Sequence, residues 1–323
     1  MNTPAQNTPA QNTPAQNTPA HNAPVQNRTA AAALSILGYA VLIGLVDNFV
    51  RLIAQEGGLW QFHLMRTVMA AVIIGAAAVP LGLRLRPHRL WAVAARSLVH
   101  GAGILIYFGS LAFLSVAQAA AGLFTAPIFV LLLSRFVYGH ALGPVRLIAV
   151  ALGFAGVILV LQPGAQSEFG WRSLIPVIAG AFYALGNVAT REWCARESAA
   201  CLTLGFFIVL GIAGALGLAG TAFFAPQVPE GAAGFLLRGW VTPSLGLLWW
   251  VFVQAIGSML AISFLVKGYQ LAEASRVSIF EYMMLPISAG WSFVLWQQPL
   301  STGAVVGIGM ILGAGVMMVL RNR

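Results

Sequence analysis

Acidic residues are scarce in this chain. Asp and Glu together number 8 in 323 residues, and all charged types make up 8%. Ordinary soluble domains carry about a quarter charged residues. With 59% hydrophobic residues, the chain has more apolar surface than a soluble fold of this length can bury. A soluble domain is excluded, and an all-α integral membrane protein is expected. Cysteine is nearly absent too. Cys194 and Cys201 stand beside one short loop without nearby histidines, which excludes a disulfide framework and a zinc site. Two reduced thiols near the membrane surface are expected instead. The five histidines are spread over a tail, two helices and two loops, so no metal cluster and no Ser/His centre is read. Neither an enzyme nor a cofactor is expected. The chain also lacks a Gly-x-x-x-x-Gly-Lys-Ser/Thr motif, which argues against direct drive by ATP.

The formal net charge is +9, but the bases stand singly at the ends of apolar runs. That is the membrane-orientation pattern rather than a nucleic-acid face. Residues 1–29 form a low-complexity tail that repeats Asn-Thr-Pro-Ala-Gln, with no acid and no base before Arg28. Such a segment is expected to be disordered. It lacks the charged start and apolar run of a secretory signal, so the first apolar segment is expected to be an uncleaved anchor.

A span needs about 20 mainly apolar residues. Ten are read, at roughly 31–53, 60–82, 91–114, 117–138, 144–162, 172–191, 200–224, 244–270, 275–297 and 301–320. Separators such as Glu56-Gly57-Gly58, Arg84-Leu85-Arg86-Pro87 and Gln298-Pro299 carry turn or charge signals, and only the connection near 225–243 is long. With the N-terminus inside, Arg28, Arg84, Arg86, Arg89, Arg146, Arg191, Arg196, Arg276, Arg321 and Arg323 fall on the cytoplasmic side. Only Arg172 and Arg238 fall outside, with the acids Glu56, Glu168 and Glu230. That bias predicts both termini in the cytoplasm.

The chain is also duplicated. Pro127-Ile128 matches Pro286-Ile287 at an offset of 159 (286 minus 127), and Ala155-Gly156-Val157 matches Ala314-Gly315-Val316 at the same offset. The copies are read as 30–162 and 163–323, each with five spans. Five is odd, so the copies face opposite ways. Two inverted five-helix repeats are a sign of alternating access.

With these residues in hand, the chain resembles the EamA-type branch of the drug/metabolite transporter superfamily. The resemblance rests on His63-Leu64-Met65-Arg66 in span 2, on Ala126-Pro127-Ile128-Phe129 and Leu285-Pro286-Ile287 in the fourth span of each copy, and on the endings Gly153-Phe154-Ala155-Gly156-Val157 and Gly313-Ala314-Gly315-Val316. It covers about residues 31–320. The Gly-Glu pair that often ends the fourth span of a repeat is replaced by Gly139-His140 and Gln298-Pro299, so no role of that glutamate carries over. The resemblance implies a basket of helices around a central cavity and transport of small metabolites, often amino-acid-like. In bacterial members it often implies export across the inner membrane; a few relatives take up S-adenosylmethionine.

An ionisable group at the centre of a span costs roughly 2.5–3.5 kcal/mol on insertion scales, so each should face a cavity or a partner. Asp47 and Arg66 both lie about 9 Å below the outer surface by helical rise. They could form an outer substrate or proton site, or a structural ion pair. Lys267 and Glu281 form a second candidate pair, at similar depth from the other side. They have no charged equivalents in the first copy, where Phe108 and Gly122 stand. Lys267 could instead snorkel to the interface.

Polar stripes add His100 and Tyr107 in span 3, Thr125 in span 4, Tyr183 and Asn187 in span 6, and Gln254 in span 8, with Tyr282 beside Glu281. Each could be interhelical glue; together they favour a cavity. Pro127 and Pro286 should each remove one helical hydrogen bond, freeing the Leu123 and Tyr282 carbonyls, and act as hinges. Glycines in spans 5 and 10 are read as packing surfaces, within the chain or between two copies. The expectation is a secondary transporter, with proton coupling through Asp47 or Glu281 as a candidate driver. A channel and an intramembrane enzyme are the competing classes. The expected partners are a small-molecule cargo and the bilayer.

Overall fold

The computed structural model of the protein describes residues 28–110, 114, 116–162, 171–297 and 299–320. Most of the repetitive tail, Glu168, Gln298, Arg321 and Arg323 lie outside the described residues. In a bilayer every backbone group must find its partner within the protein, so long apolar runs become helices. Among the described residues helices dominate and no strand occurs. The spans run Thr29–Glu56, Leu59–Ala78, Leu90–Ser110, Gln118–Phe136, Pro144–Leu161, Ile175–Glu192, Ala199–Phe224, Leu245–Leu271, Ala274–Trp296 and Thr302–Leu320. They are numbered 1 to 10 below.

Nine of these, among the described residues, are long and apolar enough to cross a membrane. Span 6 is the exception. Its 18 residues reach about 27 Å, close to the hydrocarbon thickness. Its apolarity is diluted by Asn187, Thr190, Arg191 and Glu192, of which Asn187 and Thr190 are fully buried in protein rather than turned to lipid. The least hydrophobic span is thus one that spends its polar groups inside the bundle.

The spans pack most extensively in four pairs: 5 with 10, 3 with 6, 1 with 8, and 2 with 7. Shifting each number by five turns 1–8 into 6–3 and leaves 5–10 and 2–7 unchanged. The packing pattern therefore survives exchange of the two halves, as an inverted duplication requires. Close approach of spans 5 and 10 depends on Gly156 and Gly307. A Cβ on Gly156 would stand 2.6 Å from the Gly307 carbonyl oxygen, and one on Gly307 would stand 2.5 Å from that of Gly156.

Three spans are interrupted. Span 1 passes through a 3-10 turn at Asp47–Phe49. Span 4 is broken between the helices Val116–Leu123, whose first two residues precede the span, and Ala126–Phe136. Span 9 consists of Ala274–Val277, a 3-10 stretch Ser278–Met283, and Met284–Trp296. The expectation for the prolines is corrected here. Pro127 and Pro286 lie in the first turn of the restarted helices, where an N–H has no helical acceptor in any case. They begin helices rather than removing bonds from continuous ones. The Tyr282 carbonyl, expected to be free, receives the Met284 N–H.

The two ends of the bundle are tied differently. At the end carrying residues 29 and 320, Arg146 binds Glu273 at 2.6 Å and Ser275 at 2.8 Å, and Arg191 donates to the Gln270 carbonyl at 2.6 Å. At the same end the Glu197 carboxylate accepts the backbone N–H groups of His88 (2.9 Å) and Arg89 (2.7 Å), a favourable place for an anion at the start of span 3. At the opposite end the long connection folds over spans 1 and 2. Arg238 donates to the carbonyls of Ala54, Gly57 and Gly231, and Gln61 exchanges two hydrogen bonds with the Val241 backbone.

Candidate functional site

The interrupted spans surround a cavity of about 750 Å³. Its walls include Asp47 and Asn48 from the break in span 1, Phe124 and Pro127 from span 4, and Glu281 and Met284 from span 9. It extends to Ala232, Phe235 and Leu236 of the long connection. Irregular backbone within a membrane is tolerated where it lines such a space rather than lipid.

Glu281 lies at the end of the cavity away from that connection and is 4% exposed. Its Oε2 accepts the Tyr183 hydroxyl at 2.7 Å, and its Oε1 accepts Asn187 Nδ2 at 3.1 Å and the Tyr269 hydroxyl. The Tyr39 and Tyr183 hydroxyls are 3.4 Å apart. Spans 1, 6, 8 and 9 thus converge on one carboxyl. The ion pairs of the described residues, within 4.0 Å, lie elsewhere. Burying a carboxylate costs several kcal/mol unless it is compensated. Three donors offset part of this, and a proton or a cationic cargo group can supply the rest.

Span 3 is pressed close to this site. A Cβ on Gly103 would meet the Tyr183 backbone nitrogen at 2.8 Å, and one on Gly186 the His100 Cβ at 2.6 Å. The lack of side chains at these glycines lets the Tyr183 backbone lie directly against span 3. His100 packs on the Tyr183 ring at 4.6 Å and the Phe206 ring at 5.1 Å.

Nearer the long connection, Asp47 Oδ1 accepts Gln254 Nε2 at 2.8 Å. The turn beneath it is pinned by Asn48, which donates to the Gly44 carbonyl and accepts from Ser292 of span 9. Arg66 is 5% exposed. Its guanidinium lies 4.6 Å from the Phe62 ring and 5.4 Å from the Phe207 ring, with His63 Nδ1 at 3.1 Å. Asp47 and Arg66 line the same cavity but are not among the ion pairs within 4.0 Å.

Outside the membrane spans, Glu273 binds Arg146, Ser275 and Arg276, with His140 Nδ1 at 3.9 Å. Burial alone would raise its pKa. The Ser275 hydroxyl and the Arg146 and Arg276 guanidiniums outweigh burial and hold the carboxyl below the usual carboxylate value. Burial pushes the nearby Cys194 thiol up to about 11, and Cys194 and Cys201 are both free and buried.

Of the residues expected in the site, Asp47, Arg66, Tyr107, Pro127, Tyr183 and Glu281 line the cavity. Asn187 and Gln254 stand behind the wall as partners of the two carboxyls. His100, Thr125, Tyr282 and Pro286 do not line it: Thr125 bonds the Gly122 carbonyl of its own span at 2.6 Å, and Tyr282 packs against Gly153 and, at 6.4 Å, the Phe124 ring. The pairing of Lys267 with Glu281 is corrected. Tyr269, two residues on, faces Glu281, and two helical residues are about 200° apart around the axis. Lys267 is accordingly exposed. Sequence reasoning missed Tyr39 and Tyr269. Their signal was scarcity: the chain has six tyrosines; Tyr183 and Tyr269 bond the Glu281 carboxylate, and Tyr39 bonds the Tyr183 hydroxyl.

A ring-lined cavity holding isolated charges among long apolar helices is the architecture of a multi-pass transporter of small molecules. The model of the EamA-like transporter family matches residues 30–162. A riboflavin transporter of Rhizobium johnstonii is 31% identical over 310 residues, which is 88% of this chain and 90% of that protein. An S-adenosylmethionine uptake transporter of Rickettsia bellii is 22% identical over 68% of this chain and 72% of its own length. One solved crystal structure matches the fold with a TM-score of 0.73 at 18% identity, over 90% of this chain and 97% of that one. The chain belongs to the EamA-like transporter family of the drug/metabolite transporter superfamily.

Proposed function

We propose that the protein is a secondary transporter that carries a flavin-like metabolite through this cavity by alternating access, with Glu281 as the proton-coupling carboxyl. The carrying observation is the chemistry of the cavity. Its walls present Tyr107, Phe108, Phe124, Phe206 and Trp296 beside only a few charged groups. Riboflavin, the cargo in the name of the R. johnstonii relative, is a flat, uncharged tricycle with a polar edge and a polyol tail. Ring walls suit its faces, and about 750 Å³ falls within the range of small-molecule sites.

The proposal includes the membrane orientation read from the bases, with both termini in the cytoplasm of a bacterial inner membrane. It also includes movement of 30–162 against 163–323 as two repeats. The Arg146–Glu273 end is then the cytoplasmic closure, and the cavity reaches the outer connection. An amino-acid-like cargo, implied by the family resemblance, makes less use of the ring walls. Net flux, outward as the resemblance implies or inward as in the R. bellii relative, follows from the gradients.

The test is riboflavin flux in proteoliposomes. Purified protein should give saturable flux and riboflavin exchange, and an imposed pH gradient should drive accumulation. Absence of exchange refutes the flavin reading; net accumulation indifferent to a pH gradient refutes the coupling. A second reading, a cationic cargo related to S-adenosylmethionine, is favoured by two carboxyls, Asp47 and Glu281, in one cavity. Competition by S-adenosylmethionine in the same vesicles distinguishes it.

A further inference from the structure

Asp47 and Arg66 offer opposite hydrogen-bonding chemistry to one cavity without satisfying each other. Gln254 occupies only one oxygen of Asp47, and the other has no hydrogen bond from the described residues. Arg66 Nε is buried and has no hydrogen-bond partner among the described residues, although Nη2 meets His63 and the guanidinium lies over the rings of Phe62 and Phe207. A buried N–H left without an acceptor costs free energy comparable to a lost hydrogen bond. Such a group persists where a ligand supplies the acceptor. Both residues are also pre-positioned. The 3-10 turn that starts at Asp47 is fixed by the Asn48 bonds to Gly44 and Ser292. Arg66 lies in the continuous helix of span 2, between two rings.

We infer that Asp47 and Arg66 form a specificity clamp for a planar imide edge, the carbonyl–N–H–carbonyl pattern at one end of the flavin ring system. The Arg66 guanidinium donates to a ring carbonyl, and the free oxygen of Asp47 accepts the imide N–H. The ring faces then lie against the aromatic wall, which includes Phe108, itself packed on His63 at 5.3 Å. This inference rests on the proposed flavin cargo and adds which edge of the cargo is read and by what. Hydrogen bonds to charged groups are the strong ones, so loss of the imide proton should weaken recognition by about 10- to 100-fold.

The experiment compares riboflavin with its N3-methyl analogue, in which the imide N–H is replaced by a methyl group. Each is used to compete against labelled riboflavin exchange in proteoliposomes. The wild-type protein should prefer riboflavin by at least about tenfold. In Asp47→Asn the amide keeps the side-chain volume and can still accept from Gln254, but turns an N–H toward the imide N–H. The preference should fall to within about threefold of unity. Because it is a ratio within one preparation, partial loss of folded protein cancels.

Equal competition by the two compounds in wild type overturns the clamp even if no variant folds. So does a preference in Asp47→Asn equal to that of wild type. Either result leaves flavin transport standing. A wild-type protein that exchanges no riboflavin overturns both the cargo and the clamp.

Discussion

The Tyr183 hydroxyl donates to the Glu281 carboxylate across 2.7 Å, joining span 6 to span 9 at the buried end of the cavity. Tyr183→Phe removes this bond together with the 3.4 Å contact to the Tyr39 hydroxyl, and keeps the ring. Hydrogen bonds to charged groups contribute about 1.5–3 kcal/mol. We expect riboflavin transport to fall by about tenfold or more, while a detergent size-exclusion profile stays that of the wild type. Transport within twofold of wild type would remove this bond from the mechanism.

Glu281→Gln keeps the shape of the side chain and its ability to accept from Tyr183, but it cannot lose a proton. The variant should reach the membrane in normal amounts. It should still exchange riboflavin across vesicles, and it should no longer accumulate it in response to a pH gradient. Accumulation equal to wild type would show that another group couples.

Lys267 is the control. It is exposed on the face of its helix away from Glu281. Surface substitutions away from special features usually change stability by less than about 0.5 kcal/mol. Lys267→Gln should leave riboflavin flux within about twofold of wild type, the factor that corresponds to such a change. A large loss would mean that the helix presents Lys267 to the cavity in another state.

The Arg146–Glu273 contact should behave as a closure sensitive to acid. The pKa of Glu273 is held below its unfolded value of 4.5. Its contribution to the closed end is therefore present in full above that value and disappears as pH falls through the lower folded value. Glu273→Gln removes the charge at every pH. With Cys201 replaced by serine, Cys194 is the one thiol left in the chain, and it is buried at this end. Maleimide labelling of Cys194 should be slow in that background and several-fold faster once Glu273→Gln is added. Equal labelling rates would contradict a closing role for this ion pair.

Much of the architecture was legible from sequence because the bilayer leaves few choices. Apolar runs of about 20 residues must be helices, and short polar separators make consecutive helices antiparallel. Glu281 stood out as an acid within an apolar run. Tyr183 and Asn187 were legible as a polar stripe of span 6, but their pairing with Glu281, and that of Tyr269, was not, because no local pattern encodes which spans meet. The misplacement of Lys267 has a simple cause. Counting residues from a helix end gives depth but not direction around the axis. The same limit applies to Asp47 and Arg66, which line one cavity yet bond Gln254 and His63 rather than each other. The prolines lie at the breaks, but the turn at Phe124–Thr125 and the 3-10 stretch Ser278–Met283 that make them helix starts depend on packing around the cavity.

The central claim is that this cavity carries a flavin. The most direct measurement is counterflow: vesicles containing purified protein are loaded with unlabelled riboflavin and diluted into a trace of labelled riboflavin. The account predicts transient accumulation of label that saturates with concentration and is lost when the vesicles contain no protein. Label entry no faster than in protein-free vesicles would contradict it.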